Sequence, residues 1–126
     1  MKSLSIKGTQ ETPEVEFDPA IGKLSVSGKS IPEDASSFYK PIRDWIAEYC
    51  QAPASKTEMD IKMMYFNSSS AIQLVNLLIA LEEIGDSESD NVQVNWYFKE
   101  NDELSLMKGE EMQELLEVKV NLEPYS

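Results

Sequence analysis

At residues 58–85 the chain reads EMDIKMMYFNSSSAIQLVNLLIALEEIG, and this stretch contains two elements of different period. Every second residue from Met59 to Tyr65 is apolar or aromatic, which is the pattern of a strand. Residues 71–84 are apolar around most of a helical circumference and end at Gly85, so they predict a helix that is buried on more than one side. A strand followed directly by a buried helix is typical of α/β proteins.

The segment before this stretch predicts a β-hairpin. Residues 15–17 and 24–26 each alternate between apolar and polar side chains. Residues 18–22, which include a proline and a glycine, supply the turn between them. A further short strand is predicted at residues 4–6.

An amphipathic helix is predicted from Asp34 to the region of Ala52 and Pro53. Its apolar face carries Phe38, Ile42, Trp45, Ile46 and Tyr49. At this spacing aromatic residues usually belong to the core. Tyr39 lies off the main apolar face, and we therefore expect it to be the best interface candidate among the aromatic residues of this helix.

The remainder of the chain continues the alternation of strands and helices. An acidic loop at residues 86–91 precedes a strand at residues 92–98. A weaker helix at about residues 102–116, interrupted by Gly109, precedes a last strand at residues 118–122. This order predicts an α/β sheet with at least some parallel pairing.

Composition limits the classes of function. The chain has 126 residues with 41% hydrophobic content, so we expect one domain over residues 1–126. Its net charge of −12 argues against a nucleic-acid partner, because phosphate backbones require clustered Lys and Arg. No apolar run has the length of a signal peptide or a membrane span, so the expected location is the cytoplasm, with no membrane partner.

The side chains that carry most enzyme chemistry are scarce. The chain has no histidine and a single cysteine, Cys50, which excludes a Cys/His nucleophile and a Cys/His zinc site. Cys50 is expected to be a small buried hydrophobe. The spacing of Asp18, Glu33 and Asp60 matches no known metal loop, so no metal site, cofactor or catalytic residue is predicted.

The polar run at residues 67–70 has two interpretations. The junction of a strand and a helix presents backbone N–H groups and the positive end of the helix dipole, both of which favour a phosphoryl group on a serine. Alternatively, these residues simply cap the helix, and Ser70 and Gln73 have the spacing of a capping box. From patterning alone the capping interpretation is favoured, because serine caps are common.

Three segments resemble the SiaC family of bacterial regulatory phosphoproteins. They are GTQETPEVEFD at residues 8–18, SIPEDASSFYKPIRDWIAEY at residues 30–49 and MYFNSSS at residues 64–70. The resemblance spans nearly the whole chain. Because of this resemblance, a phosphorylated serine is favoured over a purely capping role of the serines.

The resemblance implies a fold and a modification site. Members of the family are similar to STAS domains, which implies a single-domain, STAS-like mixed β-sheet packed with helices. They carry one phosphorylated hydroxyl residue just after the asparagine that ends the central strand. Here that residue is Ser68, with Ser69 and Ser70 as alternatives, and the helix N-terminus at this phosphosite is formed by Asn67, Ser69 and Ser70. The family position is often threonine, whereas this chain has three serines.

The resemblance also implies a non-enzymatic signalling protein that works by partner switching. The implied partners are a serine/threonine kinase, a metal-dependent serine/threonine phosphatase and, as the target of the unphosphorylated form, a diguanylate cyclase. Two alternatives remain open. One is a small-molecule-binding or minor enzymatic α/β domain that uses a pocket at the carboxyl ends of the strands. The other is a structural subunit that forms a constitutive complex.

Overall fold

Six strands form one sheet in which spatial order equals chain order. The structure is a computed structural model and describes residues 1–126. The strands are β1 (Leu4–Ile6), β2 (Glu14–Asp18), β3 (Lys23–Ser30), β4 (Thr57–Phe66), β5 (Val92–Lys99) and β6 (Lys119–Tyr125). Three helices connect the last four strands: α1 (Ala35–Tyr49), α2 (Ser68–Glu82) and α3 (Glu103–Leu115).

The sheet is mixed because its connections differ in length. Strands β1, β2 and β3 are joined by turns and loops and pair antiparallel. Strands β3 to β6 are each joined through a helix and pair parallel, since a parallel pair needs a long crossover. The prediction of a mixed α/β sheet with parallel pairing is therefore confirmed, and so are the hairpin and the short first strand.

One face of the sheet is buried under the helices and the other is polar. Leu24, Met59 and Val94 lie in register on adjacent strands, and each is at most 1% exposed. The intervening residues face solvent and form hydrogen bonds to one another: Asn95 Nδ2 donates to Asp60 Oδ1 at 2.7 Å and Asn121 Nδ2 donates to Asn95 Oδ1 at 2.9 Å. Alternation along each strand thus produces a two-layer molecule with all of its core on one side of the sheet.

The core is a single cluster of 23 buried apolar residues. Helix α1 contributes its aromatic side chains: the Trp45 ring lies 5.0 Å from that of Phe17 and stacks on that of Tyr49 at 5.2 Å. Cys50 is half-buried beside this cluster, so the expectation of a buried cysteine is met only in part. None of the three helices combines the length and the apolar character that crossing a membrane requires.

Helix α3 is continuous through Gly109, so the predicted interruption there is wrong. Gly109 is buried, and a Cβ atom at this position would lie 2.6 Å from Leu122 Cδ2 and 2.7 Å from Trp96 Cδ1. The glycine therefore does not break the helix. It allows α3 to approach β5 and β6 more closely than any other residue would permit.

Gly109→Ala is expected to lower the free energy of unfolding by about 1 kcal/mol. Alanine gains about 1 kcal/mol of helix propensity, but the methyl group must displace a rigid indole ring, and overpacking of this kind typically costs 1–3 kcal/mol. Urea denaturation measures the difference. An alanine variant as stable as the wild type would show that α3 can move away from the sheet without cost.

Candidate functional site: the β4 to α2 junction and its groove

Asn67 links the end of β4 to the first turn of α2. Its backbone is extended, with φ −86° and ψ 175°, and its side-chain oxygen Oδ1 accepts a hydrogen bond from the Ser70 backbone N–H at 2.9 Å. The Ser69 hydroxyl donates to the same oxygen at 3.1 Å. The Asn67 backbone N–H donates to the carbonyl of Ser30 at 3.1 Å, which ties the junction to the end of β3.

Asn67, and not a serine, is the N-cap of α2. Ser70 occupies the third helical position, so the capping box predicted for Ser70 and Gln73 is wrong. The Gln73 side chain instead accepts a hydrogen bond from Arg43 at 2.6 Å. Asparagine and serine both suit an N-cap. Sequence spacing alone therefore did not show which of the four polar residues precedes the first helical turn.

The three serines have different surroundings. Ser68 and Ser69 are exposed, whereas Ser70 is fully buried. Ser30 Oγ donates to Ser70 Oγ at 2.8 Å and shares a 2.7 Å hydrogen bond with the Tyr39 hydroxyl. Ser70 is therefore closed to a modifying enzyme in the folded protein, and of the three serines only Ser68 and Ser69 are exposed.

Tyr39 is not an interface residue, contrary to the expectation from the helical pattern. It is 0% exposed and its ring packs in the core beside Phe38 at 5.1 Å. Burial raises the pKa of its hydroxyl, which Ser30 and Ser70 solvate in place of water. The Tyr39 hydroxyl is thus hydrogen-bonded beneath the junction, and helical spacing could not reveal these contacts.

A groove of about 550 Å³ lies between α2 and α3, at the carboxyl end of β4. We call it the α2/α3 groove. Met63, Phe66 and Trp96 lie along the sheet side of it. Helix α2 contributes Ser68, Ala71, Ile72, Leu74, Val75 and Asn76, and α3 contributes Leu104, Ser105, Lys108, Glu111 and Met112.

Ser68 lies among unusually exposed apolar side chains. Four groove residues keep more than half of their surface in solvent: Met64 at 66%, Tyr65 at 57%, Ile72 at 61% and Leu104 at 66%. Ser68 and Ile72 are one turn apart on α2 and share a face. A contiguous exposed apolar patch with polar residues at its rim is typical of a protein interaction site.

The titratable groups of the groove are few. Lys108 and Glu111 lie 3.4 Å apart at its edge, and Asp102 caps α3 by accepting from the Ser105 N–H. No group of three or more Cys, Asp or Glu side chains is close enough together to hold a metal ion. Asp60, considered above as a ligand, is hydrogen-bonded to Asn95 on the open face of the sheet.

Sequence reasoning placed Ser68 at the junction and named a pocket at the carboxyl ends of the strands only as an alternative, without the residues that line the groove. Neither Met64 nor Leu104 had an assigned role. A usable signal is present in the sequence, because Leu104 is a large apolar residue near the start of a partly polar helix, and the structure leaves it 66% exposed at the groove.

These features define a small mixed α/β protein with a one-sided sheet and an apolar groove that carries a free serine hydroxyl at its rim. The family described as SiaC family regulatory phosphoprotein matches residues 6–125, and the chain belongs to this family. An uncharacterized protein of Pseudomonas aeruginosa strain UCBPP-PA14 is 30% identical over 114 residues, which cover 90% of each chain.

Solved structures of the family share the whole fold. SiaC of Pseudomonas aeruginosa is 26% identical and superimposes with a TM-score of 0.87 over 99% of this chain and 100% of that one. The crystal structure of the diguanylate cyclase SiaD in complex with its activator SiaC, from the same organism, contains a chain that is 27% identical, with a TM-score of 0.86 over 97% of this chain and 99% of that chain. The resemblance noted in the sequence is thus confirmed at the level of family and fold.

Proposed function

We propose that this chain is a non-enzymatic partner-switching protein of the cytoplasm. In its unphosphorylated form the α2/α3 groove binds a diguanylate cyclase, and phosphorylation of Ser68 releases that target. The observation that carries the proposal is the position of Ser68, an exposed hydroxyl residue that lines an apolar groove. The SiaC chain in complex with its cyclase supports the choice of target class.

The effect of the modification follows from electrostatics. A phosphoryl group adds about −1.5 to −2 charges at neutral pH. Burying that charge against Ile72 and Leu104 in a complex removes its water without supplying a cation, and this desolvation is costly. In the free protein the same group remains in water at the amino end of α2, where the helix dipole favours it. Phosphorylation thus penalises the complex and not the fold.

Two further partners follow from a reversible switch. A serine/threonine kinase transfers the γ-phosphoryl group of a nucleoside triphosphate to Ser68 Oγ, so the bond from the γ-phosphorus to the nucleoside diphosphate breaks and the hydroxyl proton leaves. A metal-dependent phosphatase returns the serine by hydrolysis. Ser68 suits both enzymes because it is exposed and forms no side-chain hydrogen bond that would have to be broken.

A small-molecule-binding role is the second candidate, because about 550 Å³ lies within the range of ligand pockets. The two candidates differ in what the groove recognises. A protein target needs the exposed rim residues Met64 and Leu104, whereas a small ligand would contact chiefly the groove floor. A competition experiment separates them. A small ligand of the groove should raise the melting temperature of the free chain, and the second measurement is whether the cyclase displaces that ligand.

Ser68→Ala is expected to change the free energy of unfolding by less than about 0.5 kcal/mol, since the hydroxyl caps nothing. Target binding should equal that of the unphosphorylated wild type and become indifferent to the kinase. Asn67→Ala is the matched control, because it removes the real cap and should cost about 1 kcal/mol. Denaturation and calorimetric titration with the diguanylate cyclases of the same host measure both quantities. A Ser68→Ala protein that still responds to the kinase would place the switch elsewhere.

A further inference from the structure

Arg43 is the only arginine of the chain, and its partners are unusual. The protein has 23 acidic residues, yet all three of its ion pairs use lysines: Lys23 with Glu58, Lys40 with Asp44, and Lys108 with Glu111. Arg43 Nη1 donates instead to two neutral oxygens, the Ser36 carbonyl at 3.1 Å and Gln73 Oε1 at 2.6 Å. A half-buried guanidinium without a carboxylate is thus held between α1 and α2.

The free donors of Arg43 remain available for an anion. Of the five guanidinium N–H donors, the two on Nη1 are used, while those on Nε and Nη2 bond to nothing in the protein. The neighbouring cation on the same helix, Lys40, is neutralised by Asp44 at 2.8 Å. Arg43 is therefore the one uncompensated positive charge between these two helices.

Ser69 lies one turn before Gln73 on α2, so the two side chains share a face. Arg43 Nη1 donates to Gln73 Oε1 at 2.6 Å, so Ser69 lies one helical turn from the residue that holds the guanidinium. Ser69 is exposed and its hydroxyl bonds only to Asn67. Ser68, in contrast, lines the α2/α3 groove, whereas Ser69 does not.

We propose that Ser69 is a second phosphorylation site, whose phosphoryl group is bound by Arg43. The transfer is that of any serine kinase: Ser69 Oγ bonds to the γ-phosphorus of a nucleoside triphosphate, the nucleoside diphosphate leaves and the hydroxyl proton goes to solvent. The product dianion receives charge-assisted hydrogen bonds from the free face of the guanidinium, which suits tetrahedral oxyanions. The modification joins α1 to α2 and leaves the groove unobstructed, so it is distinct in effect from the modification at Ser68.

The test uses full-length protein with phosphoserine incorporated during translation at position 69 or, as the control, at position 68. Phosphorus NMR titration gives the second pKa of each phosphoryl group, ordinarily about 6. We expect the pKa of phosphoserine 69 to be lower than that of phosphoserine 68 by about one unit, because an adjacent cation favours the dianion. We also expect phosphoserine 69 to raise the melting temperature by about 3 °C.

Arg43 variants decide whether the guanidinium causes these shifts. Arg43→Gln should return the pKa of phosphoserine 69 to that of phosphoserine 68 and remove the gain in melting temperature. Arg43→Lys keeps the charge but not the planar fork, so it should retain part of the pKa shift. A phosphoserine 69 that titrates identically with and without Arg43 overturns the proposal. A pKa that depends on Arg43 for phosphoserine 68, but not for phosphoserine 69, also overturns the proposal. Neither readout uses the cyclase, so the Ser68 switch stands or fails separately.

Discussion

Phosphoserine at position 68 is expected to weaken binding to the cyclase at least 100-fold, which corresponds to about 2.8 kcal/mol. Binding must bury the dianion beside Ile72 and Leu104, both exposed by more than 60% in the free chain and available to a target. The protein carries a net charge of −12 and offers no free cation in the groove, since Lys108 is paired with Glu111. Isothermal titration of the unmodified and the phosphorylated chain against the cyclase measures the ratio.

The matched control for this experiment is phosphoserine at position 69, the next residue of α2. It adds the same charge one residue away but outside the groove. Its cyclase affinity should stay within about threefold of the unmodified chain, as expected for a screened surface charge. Equal weakening by both modifications would mean that overall charge, and not groove occupancy, controls the complex.

Ile72→Glu is expected to weaken cyclase binding strongly while leaving the fold intact. Ile72 is 61% exposed at the groove, so the free protein tolerates a carboxylate there, but a complex would bury it unpaired. The loss should again reach about 100-fold, or about 2.8 kcal/mol. Calorimetric titration gives the affinity, and circular dichroism confirms that the helical content is unchanged.

Ile79→Glu provides the control within the same helix. Ile79 is also exposed, at 45%, but does not line the groove. We expect its cyclase affinity to remain within about threefold of the wild type. If Ile79→Glu blocked binding and Ile72→Glu did not, the target would bind α2 two turns further toward its C-terminus, and the link between target binding and Ser68 would be lost.

The elements of the fold could be predicted because they are encoded locally. The strand at β4 shows a clear period of 2, the helix at α2 is a long apolar run that ends at Gly85, and the polar run at residues 67–70 marks the junction between them. Parallel pairing followed from the helical connections. The family resemblance selected Ser68 within the run, although no pattern in the residues distinguishes it from Ser69.

The rest depends on contacts between distant segments. Ser70 can be buried because Ser30, forty residues earlier, donates a hydrogen bond to its hydroxyl. Gly109 looked like a helix interruption because propensity carries no information about the Trp96 ring that packs against it. The groove exists because α2 and α3 both cover the sheet around Trp96 and leave space between them, and only the assembled fold defines that spacing.

The most direct measurement is intact-mass and fragment-ion mass spectrometry of the chain isolated from its own host in two pools, one bound to the cyclase and one free. We expect the bound pool to carry no phosphoryl group and part of the free pool to carry one at Ser68. Phosphorylated Ser68 in the bound pool, or a free pool without any modification across growth conditions, would contradict the switch.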